Sequence, residues 1–290
     1  MKFLKKMACA AAVAMSMGAA QAAPVLNDWV FNPTGDGYES GQVINEYLDV
    51  NGNAFINLTP TGDTSFTFTE HAVFNISQAD SNGVLFPLAY PGGNISAVFE
   101  ATGTGNFSGA FTFSGGTIRM YQNPVNGQYG SANGIYGANL GNLIASFDVL
   151  AGGGGLVDAS GSPTTNGQVS VFARAEAGAL APGYFFLDGG EDLSGSAVLA
   201  FAFTNANTVG DPTDRLVDEV ACEYAGFGGP GCDGTAYENA PGDYFFLSTN
   251  GQFKLNEVEG GEVPEPGSLA LFGIAMLGAG IAVRRRAGKA

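Results

Sequence analysis

Apolar and polar side chains alternate through most of the chain. In "SFTFTEHAVFNI", Phe66, Phe68, Ala72, Phe74 and Ile76 fall on one face at a period of two, as a half-buried strand requires. "NISAVFEA" repeats this with Ile95, Ala97, Phe99 and Ala101, and "NFSGAFTF" with Phe107, Phe111 and Phe113. "NLIASFDVL" places Leu143, Ala145, Phe147 and Val149 together, and "QVSVFARA" does so with Val169, Val171 and Ala173. "AVLAFAFT" and "GQFKLNEV" add two further runs. Turn-forming stretches such as "TPTGDT" and "YPGGN" separate them. No helical period interrupts the body. The pattern predicts an all-β body over residues 23–260, folded as an antiparallel β-sandwich of jelly-roll type. The glycine-rich tract 152–167 is the candidate internal boundary of that body.

Both ends break the alternation. Residues 1–22 begin with Lys2, Lys5 and Lys6, continue as an Ala- and Met-rich apolar run, and end in Ala20-Gln21-Ala22 ahead of Ala23. This is the three-part layout of a secretory signal helix cut between Ala22 and Ala23, so the secretion translocon and signal peptidase are its expected partners. At the other end, the uncharged segment Ser268–Val283 precedes Arg284, Arg285 and Arg286. The segment is marginal for a hydrocarbon core of about 30 Å. It predicts a short transmembrane helix, with the basic tail 284–290 held in the cytoplasm.

Charge sharpens this division. The chain holds 11 Lys and Arg against 27 Asp and Glu, with only 13% charged residues and 45 glycines. Arg119, Arg174, Arg215 and Lys254 are the only basic residues between the two ends, so residues 28–265 carry a net −23. Such a surface repels nucleic acid and favours divalent cations or basic partners.

Pro264-Glu265-Pro266, a short apolar segment and a terminal arginine cluster resemble the PEP-CTERM sorting signal, over residues 261–290. The resemblance implies processing by a membrane-embedded exosortase that recognises Pro264, Glu265, Pro266 and the arginines 284–286. It also implies a Gram-negative, exopolysaccharide-producing host. The chain would be anchored in the inner membrane only until the tail is removed, and would then reach the cell surface or matrix. The Phe-, Gly- and Asn-rich body is similar to flocculation-associated members among such substrates.

Candidate chemistry is sparse. With Cys9 in the signal segment, Cys222 and Cys232 form an even pair in an exported chain, which predicts a disulfide. The lone histidine, His71, lies beside Glu70 in an alternating run, and no G-x-S-x-G, Walker loop, Cys-x-x-Cys or H-E-x-x-H occurs. No catalytic residue is assigned. "APGYFFLDG" and "APGDYFFLSTNG" form a partial repeat. Its aromatic residues Tyr184, Phe185, Tyr244 and Phe245 are candidates for stacking on sugar rings, or else two strands entering a core after similar turns. Asp49, Asp188, Glu191, Asp192, Asp211 and Asp214 are candidate calcium ligands in or beside loops, without EF-hand spacing. No other cofactor is indicated.

Together these features predict a non-enzymatic exported protein of the cell surface or matrix. It would support exopolysaccharide-dependent biofilm formation or flocculation, with calcium bridging its acidic surface to anionic polysaccharide. The alternatives are a carbohydrate-binding module or a polysaccharide-modifying hydrolase.

Overall fold

Phe68 and Ala72 of one strand, and Phe99 and Ala101 of the next, turn inward together, and this shared inner face is the core of the protein. The computed structural model describes residues 26, 28–81, 84–87, 94–124, 126–164 and 167–257. Long antiparallel strands follow one another as a meander: β3 (Leu48–Pro60), β4 (Ser65–Ser81), β6 (Ile95–Asn106), β7 (Ala110–Gln122), β8 (Asn142–Val149), β10 (Gly167–Ala175), β12 (Val198–Val209) and β13 (Tyr244–Glu257). A short β5 (Val84–Pro87) pairs with the end of β4.

The last of these strands pairs with the first. Residues Tyr244 to Phe253 of β13 run antiparallel to Asn57 to Leu48 of β3, and β10 pairs with β12 across the other side. The sheet therefore closes into an eight-stranded barrel. This corrects the predicted sandwich or jelly roll. Period-two alternation is the same in both architectures, because each buries one face of every strand. What separates them is the pairing of strands nearly the whole chain apart, which leaves no local trace.

The glycine tract is part of the wall. β9 (Gly152–Leu156) continues the line of β8, because Gly116 pairs with Val149 while Phe113 pairs with Gly152. Gly152, Gly153 and Gly154 hold φ of 109°, 67° and 116°, a left-handed path that only glycine follows at low cost. The kink lets one stave of the barrel bend without leaving the sheet.

One end of the barrel is plugged by a three-stranded sheet of β1 (Trp29–Phe31), β2 (Gln42–Ile44) and β11 (Phe185–Phe186). Trp29, Phe31 and Phe185 are fully buried, and the Phe31 and Phe185 rings lie 5.2 Å apart. Gln122 donates from Nε2 to the Pro33 carbonyl at 2.7 Å and accepts from the Tyr184 hydroxyl at 2.8 Å, tying plug to wall. At the opposite end, Val157, Ser162 and Pro163 are buried, in a turn that Asp158 holds by accepting from Ser160 N at 2.8 Å and Ser162 N at 3.2 Å.

A second apolar cluster lies outside the wall. Phe55, Val73 and Val98 face outward and are covered by α1 (Asp214–Leu216), the π-helical segment Val217–Tyr224 that continues it, and Phe246. The Cys222–Cys232 disulfide forms, with Cα atoms 5.4 Å apart, and ties this segment to the following loop. Among the described residues no helix is long and apolar enough to cross a membrane. The predicted signal helix and tail helix lie outside the described residues.

Candidate functional site

The barrel encloses a cavity of about 90 Å³. Its walls come from β3, β4, β6, β7, β10, β12 and β13 and are almost wholly aliphatic and aromatic, with Phe68, Phe99, Phe113 and Phe253 among them. The rings pack edge to face: Phe68 meets Phe111 at 5.5 Å and Phe113 at 5.6 Å. Room for these rings comes from β6, where Gly103 faces Phe68 and Gly105 faces Phe66; a Cβ at either would collide with the opposing ring.

Glu70 lies in this wall. Its backbone pairs with Ile56 on one side and Ala101 on the other, and its side chain points inward between Phe68 and Ala72. Among the described residues the carboxyl has neither an ion-pair nor a hydrogen-bond partner. Removal from water disfavours its charge and pushes its pKa from 4.5 up to about 8. The hydroxyl of Thr249, also on the cavity wall, is buried without a hydrogen-bond partner. Gly52 of β3 faces Thr249 and Ile56 faces Glu70, so the two polar groups lie on the strands either side of β3 and four residues apart along it.

His71, the next residue, faces the other way. Its ring packs edge-on against Tyr224 at 5.0 Å, and burial lowers its pKa, with the Glu100 carboxylate opposing that shift. Glu100 in turn lies 3.6 Å from Arg119 on the half-exposed outer surface. The arrangement holds the π-helical segment against the wall.

A third feature covers the outer surface near the Asp158 turn. Thr59, Thr67, Thr104 and Thr112 are direct cross-strand partners along β3, β4, β6 and β7, and all four are exposed. Thr69 and Thr102 form a second exposed pair beside them. The result is an uncharged, hydroxyl-bearing patch on an acidic protein.

The aromatic candidates are buried, Tyr184, Phe185 and Phe245 in the main core and Tyr244 in the cluster outside the wall. Tyr184 and Tyr244 are 9% and 8% exposed, and Phe185 and Phe245 are 0% and 1% exposed. Both copies of the repeat do turn alike, at Gly183 and Gly242 with φ of 90° and 88°. They then enter opposite ends of the barrel, so the four rings do not form one surface.

The acidic candidates are dispersed. Asp49 lies in β3, opposite Gln252 of β13. Asp192 caps a short helical turn, accepting from Gly183 N and Ser194 N at 2.8 Å each. Burial alone would raise its pKa, but these backbone N–H groups outweigh that and hold it below the usual range. Asp188 and Glu191 flank it, whereas Asp211 and Asp214 lie before and within α1. Among the described residues, no three His, Cys, Asp or Glu side chains converge as a metal site.

The tail residues Pro264, Glu265, Pro266, Arg284, Arg285 and Arg286, and the cleavage residues Ala20, Ala22 and Ala23, lie outside the described residues. Residues 262–286 match the family model of the PEP-CTERM protein-sorting motif. The C-terminal segment carries a PEP-CTERM sorting motif. The PEP-CTERM motif is the recognition signal of an exosortase, so the protein is exported and sorted to the cell surface. No curated protein and no solved structure matches the chain.

Glu70 is the residue that sequence reasoning missed. Counting by twos from Phe66 and Phe68 places it on the inward face of its own strand, so the signal was present in the alternation. The threonine patch was equally legible as alternate positions, but only the register brings it together.

Proposed function

We propose that this protein is a non-enzymatic component of the cell surface or extracellular matrix that supports exopolysaccharide-dependent aggregation of cells. The observation that carries this reading is the threonine patch across β3, β4, β6 and β7. Threonine hydroxyls both donate and accept hydrogen bonds, as sugar hydroxyls do, and an uncharged patch spares an acidic protein from repelling an anionic polymer where they touch. Their spacing, about 4.8 Å across strands, gives a regular contact face. A stiff closed barrel holds that face in place, and the sorting signal brings it to the surface.

The test is to delete the gene and restore it with the wild type or with Thr67→Ala/Thr104→Ala. Loss of aggregation on deletion, rescued by wild type but not by the double variant, with polysaccharide chain length unchanged, supports the proposal. A longer or chemically altered polymer in the deletion strain overturns it in favour of a polysaccharide-modifying enzyme. Full rescue by a folded double variant removes the patch from the account.

A further inference from the structure

The side of the barrel opposite the threonine patch has a different chemistry. In the eight-stranded circuit, β10 stands opposite β4 and β12 opposite β6. Ala202, Thr204 and Ala206 of β12 line the cavity, so Phe201 and Phe203 face outward, where both are part-exposed. Their rings lie nearly parallel, at 21°, with centroids 6.4 Å apart. Phe172 of β10, the cross-strand partner of Phe201, is almost fully buried and supports it at 5.3 Å. Lys254 of β13 is the partner of Phe201 on the other side, and its ammonium lies 5.4 Å from the centre of the Tyr47 ring. The other three basic residues of the body are ion-paired, Arg119 with Glu100, Arg174 with Glu176 and Arg215 with Glu219. Among the described residues Lys254 makes no ion pair. On a body of net −23, one cation is thus set among aromatic rings rather than carboxylates.

We infer that the outer face of β12 and β13 is a subsite for an acidic sugar of a polysaccharide, with the pyranose ring on Phe201 and Phe203 and its carboxylate on Lys254. The rings argue for the sugar. The C–H face of a pyranose is apolar and faintly positive, which suits the negative face of a phenyl ring, and its hydroxyls stay in water. The cation argues for the acid. An ammonium without a carboxylate partner attracts an anion, and an anion bound there escapes the repulsion it meets elsewhere on the body. A second copy of the chain is a poorer occupant, because it would bring net −23 against net −23. The inference rests on the surface role proposed above for the presence of the polymer, and on different residues for its recognition. Contact faces on opposite sides would let one barrel bridge two polymer chains, as aggregation requires.

Calorimetric titration of the exported protein with tetragalacturonate tests this, in a chelator so that calcium bridging contributes nothing. The fully methyl-esterified tetrasaccharide and polyglutamate are the comparison probes. Tetragalacturonate is expected to bind more tightly than its neutral ester, and polyglutamate not to bind. Phe201→Ala should weaken both sugars about tenfold. Lys254→Gln should bring the acid down to the affinity of the ester and leave the ester unchanged. Absence of tetragalacturonate binding overturns the inference, as does equal binding by folded Phe201→Ala/Phe203→Ala. Equal binding of polyglutamate would make the face a general anion site, and self-association abolished by Phe201→Ala would make it an interface between copies; either overturns it. The threonine-patch reading fails separately, in the gene-deletion assay, so the two failures are distinguishable.

Discussion

Glu70 and His71 are consecutive in β4 and face opposite sides of the barrel wall, the carboxyl toward the apolar cavity and the imidazole toward Tyr224 outside. Both are only partly exposed, and in both burial opposes the charged form. For a carboxyl this means protonation near neutrality, and for an imidazole the neutral ring.

The first consequence concerns stability. Glu70 has a folded pKa of about 8 against an ordinary 4.5, so the folded state holds a proton that the unfolded chain releases. Its contribution is fully present below about pH 4.5 and is lost as pH rises toward 8, at up to about 1.4 kcal/mol per pH unit. Denaturant unfolding from pH 5 to 8 should show wild-type stability falling, and Glu70→Gln should remove most of that slope.

The cavity predicts that modest filling stabilises. Ala202 of β12 lines the cavity and is only partly buried. Ala202→Val adds two methyl groups to space that holds none, and should raise stability by about 1 kcal/mol. Melting curves check this outcome.

The glycines of β6 predict the opposite. A Cβ at Gly103 meets the Thr112 carbonyl and the Phe68 ring, and one at Gly105 meets the Phe66 ring. Gly103→Ala should destabilise by about 1–3 kcal/mol, because the crowded atoms include backbone that cannot rotate away. An unchanged denaturation midpoint would contradict the packing described for this face.

The Cys222–Cys232 crosslink closes a short loop at the end of the π-helical segment. Its removal by Cys222→Ala/Cys232→Ala should cost about 3 kcal/mol on the chain-entropy account. Val220 and Ala221, which cover Phe55 and Val73, are in the element it anchors. Amide exchange should therefore rise first in Val217–Tyr224 and later in the barrel strands.

Much of this was legible beforehand, and the part that was not has a physical reason. The alternation in "SFTFTEHAVFNI" marks β4 and its buried face, and the even cysteine pair marks the disulfide. Barrel closure depends on Tyr244 meeting Asn57 and Phe253 meeting Leu48, contacts of very long sequence separation that no local pattern encodes. Gly152–Gly154 read as a loop because glycine usually punctuates strands, yet here left-handed φ values let the wall kink. The repeat containing Tyr184 and Tyr244 gave the turns correctly, while the destinations of the rings depend on which end of the barrel each strand enters.

Glu70 shows how one polar residue in an apolar series can be passed over. It sits at a position that the period assigns to the interior, and the pattern is strong enough without it. A charged residue at such a position is costly unless it has a use.

The most direct measurement is the titration of the Glu70 carboxyl itself, followed by carbon NMR on protein labelled at glutamate and assigned with Glu70→Gln. A midpoint near pH 8 is predicted for a carboxyl that faces the apolar interior of the barrel without a cation beside it. A midpoint near 4.5 would place it in water or beside a cation, and would contradict the apolar setting described for it.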